Sequence, residues 1–101
     1  TLPVLAVGGY GVVSVMAHVA GKAIRDMIDA YVSCNFADAL RLHRQTGPLC
    51  KALFCTTSPT PVKEAVGMLG YDVGPVRLPL VPLTSEQRSL VRHAMVGEGA
   101  L

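Results

Sequence analysis

The stretch GGYGVVSVM, residues Gly8–Met16, joins a glycine cluster to the one nearly unbroken β-branched run in the chain. Val12, Val13 and Val15 put apolar side chains on both faces of an extended segment, the pattern of a strand buried on both sides. Such a strand must hydrogen-bond along its length and needs a neighbour on each side. The rest of the 101 residues offers no second clear strand. Two solutions follow. TLPVLAV, Thr1–Val7, could fold back through Gly8-Gly9-Tyr10 as a hairpin, which on its own is a marginal ribbon. Alternatively, the chain is the end of an α/β protein whose other strands lie upstream.

Composition favours the second solution. Half of the residues are hydrophobic and only 16% are charged, against about 25% charged in an ordinary soluble domain. A chain of this length still leaves about a third of its surface exposed, so part of the apolar excess is expected to meet protein that this segment does not supply. A net charge of +2, with nine Lys and Arg spread along the chain, gives no concentrated phosphate-binding footprint and argues against nucleic acid. Arg25, Asp26 and Asp29 interrupt the longest apolar region before it reaches the ~20 residues of a membrane span. The start lacks the basic region and cleavage site of a signal peptide, so a cytoplasmic protein is expected. Cys34, Cys50 and Cys55 fall at no disulfide or metal spacing and read as buried free thiols.

Helical signals fill the remainder. Val4 and Val7 suit a strand in Thr1–Val7, yet Thr1 with Pro3 two residues on also suits a helix start. From Lys22 to Ser33, Ala23, Ile24, Met27, Ile28 and Tyr31 recur at helical spacing. A second helix is expected from Phe36, with Ala37, Leu40 and His43 on one stripe, kinked or broken by Pro48 before LCKALF. TSPTPVKEAVGMLGY predicts a short helix with Thr60 as N-cap, Pro61 first, Val62, Ala65, Val66 and Leu69 as its stripe, and Gly70 closing it. Pro75, Pro79 and Pro82 exclude helix from DVGPVRLPLVP, an extended connection whose Val76, Leu78, Leu80 and Val81 are expected to cover apolar surface. Thr84 and Gln87 form a capping box ahead of Leu90, Val91 and Ala94, and the GEGAL tail is expected to fray.

Three separated blocks, GGYGVVSVMAHVAGK, LCKALFCTTSPTPVKEAVGMLGY and VRLPLVPLTSEQR, resemble in order and spacing the C-terminal part of the dihydrodipicolinate synthase family. The RLPLVPL connection is more like these synthases than their relatives, the N-acetylneuraminate lyases and keto-sugar-acid aldolases. The resemblance covers essentially the whole chain and implies the C-terminal fragment of a (β/α)₈ TIM barrel, an α/β fold that is mostly α within this segment. Residues 1–33 would hold the seventh helix, the eighth strand (GVVSV) and the eighth helix; residues 34–101 would form an appended helical region. A whole barrel needs roughly 250 residues, so the chain is expected to be a truncated piece, as its lack of an initiator Met also suggests.

The implied chemistry is that of a class I aldolase in lysine and diaminopimelate biosynthesis. A lysine on the sixth strand forms a Schiff base with pyruvate, and the enamine adds to aspartate semialdehyde. A tyrosine on the fifth strand relays protons together with a threonine and a second tyrosine, and an arginine at the barrel mouth holds the aldehyde substrate. All these groups would lie upstream of Thr1, so no catalytic residue is expected here and the segment alone should be inactive. Val13 matches the branched aliphatic position, usually Ile, whose backbone carbonyl lines the pyruvate pocket. The family further implies a homotetramer and no cofactor. Two other readings compete: a sister pyruvate-dependent aldolase, and a stand-alone helical interaction module.

Other reactive residue types carry bland expectations. Lys63, in the first turn of an exposed helix beside Glu64, is no candidate nucleophile, nor are Lys22 and Lys51. His18, His43 and His93 share no metal-binding motif. The G-G-x-G of Gly8–Gly11 runs into a strand, whereas phosphate loops leave one, so a tight turn is expected. Ser14 lacks a nucleophile-elbow context and should face one side of the barrel wall. Thr56 and Thr57 are expected in a loop.

Overall fold

Pro3 sits in the first turn of α1, Leu2–Ala6, where its missing N–H leaves no helical bond unmade. The computed structural model describes residues 1–101 and contains four further helices: α2 (Ala17–Val32), α3 (Phe36–Ala52), α4 (Thr60–Met68) and α5 (Ser85–Glu98). Thr1–Val7 is therefore helix-forming rather than strand-forming. No strand is present, which corrects the expectation for Gly11–Val15 in this segment. The reason lies in the pairing requirement itself: residues without a hydrogen-bonding neighbour cannot make a ladder.

α2 buries Ala20, Ile24 and Met27, with Ala23 and Ile28 packed partly against the core, as the spacing predicts. It begins five residues before Lys22, at Ala17, with Ala20 at non-helical φ/ψ. α3 departs from expectation twice. It runs unbroken through Pro48, because Pro48 and Arg44 both lie on the exposed side, where water can solvate the Arg44 carbonyl that has lost its donor. Nearby, the Thr46 hydroxyl donates to the Leu42 and His43 carbonyls at 3.0 and 3.2 Å. Its buried stripe is Ala39, Leu42, Thr46, Leu49 and Ala52, while Phe36 and Leu40 are exposed.

At α4 the N-cap is Pro59, and Thr60 is the buried first residue rather than a cap. Val62 and Ala65 are buried, and Gly70 follows the helix at φ +93, a conformation that disfavours any side chain. α5 carries the expected capping box in both directions, Gln87 N to Thr84 Oγ1 at 3.2 Å and Thr84 N to Gln87 Oε1 at 3.0 Å. Thr84→Ala should cost about 1 kcal/mol, read as a lower midpoint in urea unfolding at unchanged slope. Beyond the cap, α5 buries Val91, Ala94 and Met95, while Leu90 is exposed. The tail is capped where fraying is expected: Gly99 adopts the left-handed region and the Ala100 amide donates to the Met95 carbonyl at 2.9 Å, closing the helix.

One core joins Met16, Ala20 and Ile24 to Leu49, Leu53, Val62, Val91 and Met95, with α3 packed between α2 and α5. Only 18 of the 101 residues are buried. The radius of gyration is 14.5 Å, against about 13 Å for a compact chain of this length. The apolar excess noted in the composition is thus left on the surface. In the connection after α4, Leu78 and Val81 are exposed rather than covering apolar surface, while Val76 and Leu80 are half-buried. Cys34 and Cys50 are exposed and Cys55 half-buried; all are free, but they are not the buried thiols expected. The tight turns that place Cys34 just past α2, at φ +61, hold its side chain outside the core. No helix is long and apolar enough to cross a membrane.

Candidate functional site

The turn after α1 is built by two glycines for two reasons. Gly8 has φ +93, where a side chain is strained. Gly9 has an ordinary φ, but its amide donates to the Val4 carbonyl at 2.8 Å, and a Cβ there would stand 2.7 Å from that oxygen. The pair reverses the chain off α1, which agrees with the expectation of a tight turn.

Beyond it, residues 10–15 donate no backbone hydrogen bond to any carbonyl. Val12 is 44% and Val13 106% exposed. The Val13 carbonyl accepts no hydrogen bond, and its side chain touches no core. Ser14 ends the open stretch, its Oγ accepting from the Met16 amide at 3.2 Å just before α2. Met16 then enters the core. The result is a run of β-branched residues, anchored at both ends by helices, whose amides are free, while its last two carbonyls, Ser14 and Val15, accept from the Ala17 and His18 amides at 3.1 and 3.3 Å. Chemically it offers a row of backbone groups ready for ladder pairing, the Val13 carbonyl among them.

The lysines carry no enclosed amine. Lys22 pairs with Asp26 at 2.6 Å with its side chain 86% exposed, and Lys51 is exposed. Lys63 is half-buried and donates to the Pro75 carbonyl at 3.0 Å. A Schiff-base lysine must be neutral and desolvated, and none of these environments meets that need. His18 and His93 are exposed, His43 is half-buried, and no three His, Cys, Asp or Glu side chains converge. Thr56 and Thr57 lie in the loop before α4.

One polar cluster escaped sequence reasoning. Arg88 of α5 reaches Glu64 of α4 at 2.8 Å, and with Lys63 and Asp72 they line a cleft of about 320 Å³ under the 71–76 connection. Asp72 Oδ1 accepts from the Gly74 amide at 3.1 Å. Each charged end is thus engaged internally, and the cluster ties the connection to α4 and α5. No local motif announces a pairing between residues so far apart in sequence.

The chain matches the Dihydrodipicolinate synthetase family over residues 1–96 and belongs to that family. It is 50% identical over 101 residues to the 4-hydroxy-tetrahydrodipicolinate synthase of Moorella thermoacetica, covering 100% of this chain and 35% of that protein. It is 55% identical over 92 residues to that of Desulforudis audaxviator, covering 91% of this chain and 31% of the relative. Among solved structures, the dihydrodipicolinate synthase of Cyanidioschyzon merolae with lysine bound superposes at a TM-score of 0.96, with 42% identity, over 100% of this chain and 34% of its own. The chain thus spans about a third of the length of the curated relatives it matches.

Proposed function

We propose that this chain is the closing segment of a (β/α)₈ barrel enzyme that condenses pyruvate with aspartate 4-semialdehyde through a lysine Schiff base. The observation that carries the reading is the unpaired valine run: an apolar, two-sided segment whose amides, and whose carbonyls up to Val13, make no backbone hydrogen bond, inside a chain similar over its whole length to one third of such synthases. In this reading α1 is the seventh barrel helix, residues 11–15 the eighth strand, and α2 the eighth helix. Residues 1–33 complete the barrel and residues 34–101 form the appended helical region. The seventh and first strands, from the rest of the polypeptide, pair with the valine run on its two sides.

Val13 contributes its backbone carbonyl to the pyruvate pocket, so the side chain there is free to be Val or Ile. The lysine nucleophile, the tyrosine that relays protons and the substrate-binding arginine come from earlier strands. In the dry barrel interior the lysine amine is held neutral, attacks the pyruvate ketone and expels water; the derived enamine then forms the carbon–carbon bond to the aldehyde. The protein works as a cytoplasmic homotetramer in lysine and diaminopimelate biosynthesis. Neither the sister aldolases nor the interaction-module reading has a specific observation in its favour.

Reductive trapping tests the assignment. With pyruvate and borohydride, the 101-residue chain should gain no adduct on Lys22, Lys51 or Lys63, while the full-length protein should gain one, located by mass spectrometry outside this segment. An adduct on any of the three lysines overturns the reading.

A further inference from the structure

The last turn of α5 closes onto α2 and α3. Glu98, Gly99 and Ala100 share a cavity of about 250 Å³ with Lys22 and Asp26 of α2 and Gln45 of α3. The turn itself is made by the Gly99 and Ala100 amides, donating to the Val96 and Met95 carbonyls at 3.0 and 2.9 Å. Within it, Glu98 Oε2 is closed off from solvent and accepts no hydrogen bond.

Three features oppose a charge on that carboxyl. Its buried oxygen has no donor. It occupies the C-terminal end of a helix, where the aligned peptide dipoles already place negative charge. The charged groups facing it across the cavity, Lys22 and Asp26, are paired with each other at 2.6 Å, so no uncommitted cation is there to balance a carboxylate; α3 offers only the neutral Gln45. We propose that Glu98 is a pH-sensitive clasp: as the neutral acid it seats the closing turn of α5 against α2 and α3, and on ionisation it releases that turn to solvent.

Burial holds the Glu98 carboxyl above the ordinary carboxylate range. The sign follows. A carboxyl raised in the folded state binds its proton more tightly there than in the open state, so the seated turn is favoured at low pH and lost as pH rises through the native value.

The test is amide hydrogen exchange at Gly99 and Ala100 in the full-length protein, corrected for intrinsic base catalysis, between about pH 5 and pH 8, together with an NMR titration of the Glu98 carboxyl. Exchange should accelerate with pH by at most about tenfold per unit, the limit for release of one proton, while Glu98→Gln stays at the low-pH level throughout. Identical profiles in the two proteins overturn the proposal, as does exchange that slows with pH, which would mean that Lys22 moves to the ionised carboxylate. If Glu98→Gln does not fold, the titration decides alone: a midpoint at or below that of an ordinary glutamate overturns the clasp.

Discussion

Val13→Asp should be silent in the 101-residue chain and destructive in the full-length barrel enzyme proposed above. Here Val13 is fully exposed and touches nothing in the core, so an aspartate replaces one solvated side chain by another and should shift stability within about 0.5 kcal/mol. In a closed barrel the same position is walled by two neighbouring strands, and by helices or barrel interior on its faces. An unpaired carboxylate there costs about 3–5 kcal/mol, a large part of the 5–15 kcal/mol that holds a domain together. Thermal or urea unfolding of both proteins gives the comparison. A destabilised short chain, or an unperturbed full-length one, would remove the barrel-strand assignment. Val13→Ile is the companion control: if only the backbone carbonyl matters, the full-length enzyme should keep its activity.

Leu49→Ala should be the most damaging single truncation of the segment's own core. Leu49 is fully buried in α3, in the cluster shared by α2, α4 and α5. Removing its branched end leaves a cavity that rigid helix packing fills only partly, at about 2–5 kcal/mol. With only 18 buried residues, the chain has little reserve, so equilibrium unfolding should begin without denaturant. Leu40→Ala, on the exposed side of the same helix, controls for helix propensity and should change stability little. Equal effects at the two positions would mean that α3 does not pack as described.

The two outcomes depend on opposite kinds of burial, and this explains what was legible beforehand. Capping chemistry is local: Thr84 with Gln87 and Gly70 after α4 obey bonds within a few residues, and both appear as the spacing predicts. Apolar periodicity also located the buried faces of α2 and α4. On α3 it selects the wrong stripe, because Ala37, Leu40 and His43 recur every three residues as Ala39 and Leu42 do, and only the neighbouring helices decide which face turns inward. Pro48 departs from expectation for a related reason. The lost hydrogen bond costs less where water can reach the orphaned carbonyl, and Arg44 and Pro48 both lie on the exposed side.

At the candidate site, residues 8–16 announced their character by composition alone. Gly8 and Gly9 marked the turn, and three valines marked a segment that wants partners on both sides. Their conformation was not a local property, since ladder hydrogen bonds come from other strands. The capping box of α5, the glycine after α4, the buried faces of α2 and α4 and the demand for missing neighbours were therefore determined by the sequence itself, because each rests on contacts within a few residues or on a plain excess of apolar side chains. The inward face of α3, the Glu64–Arg88 tie, the seating of Glu98 and the unpaired state of the valine run were decided only by tertiary structure, because each depends on which distant group arrives, or fails to arrive, at hydrogen-bonding distance.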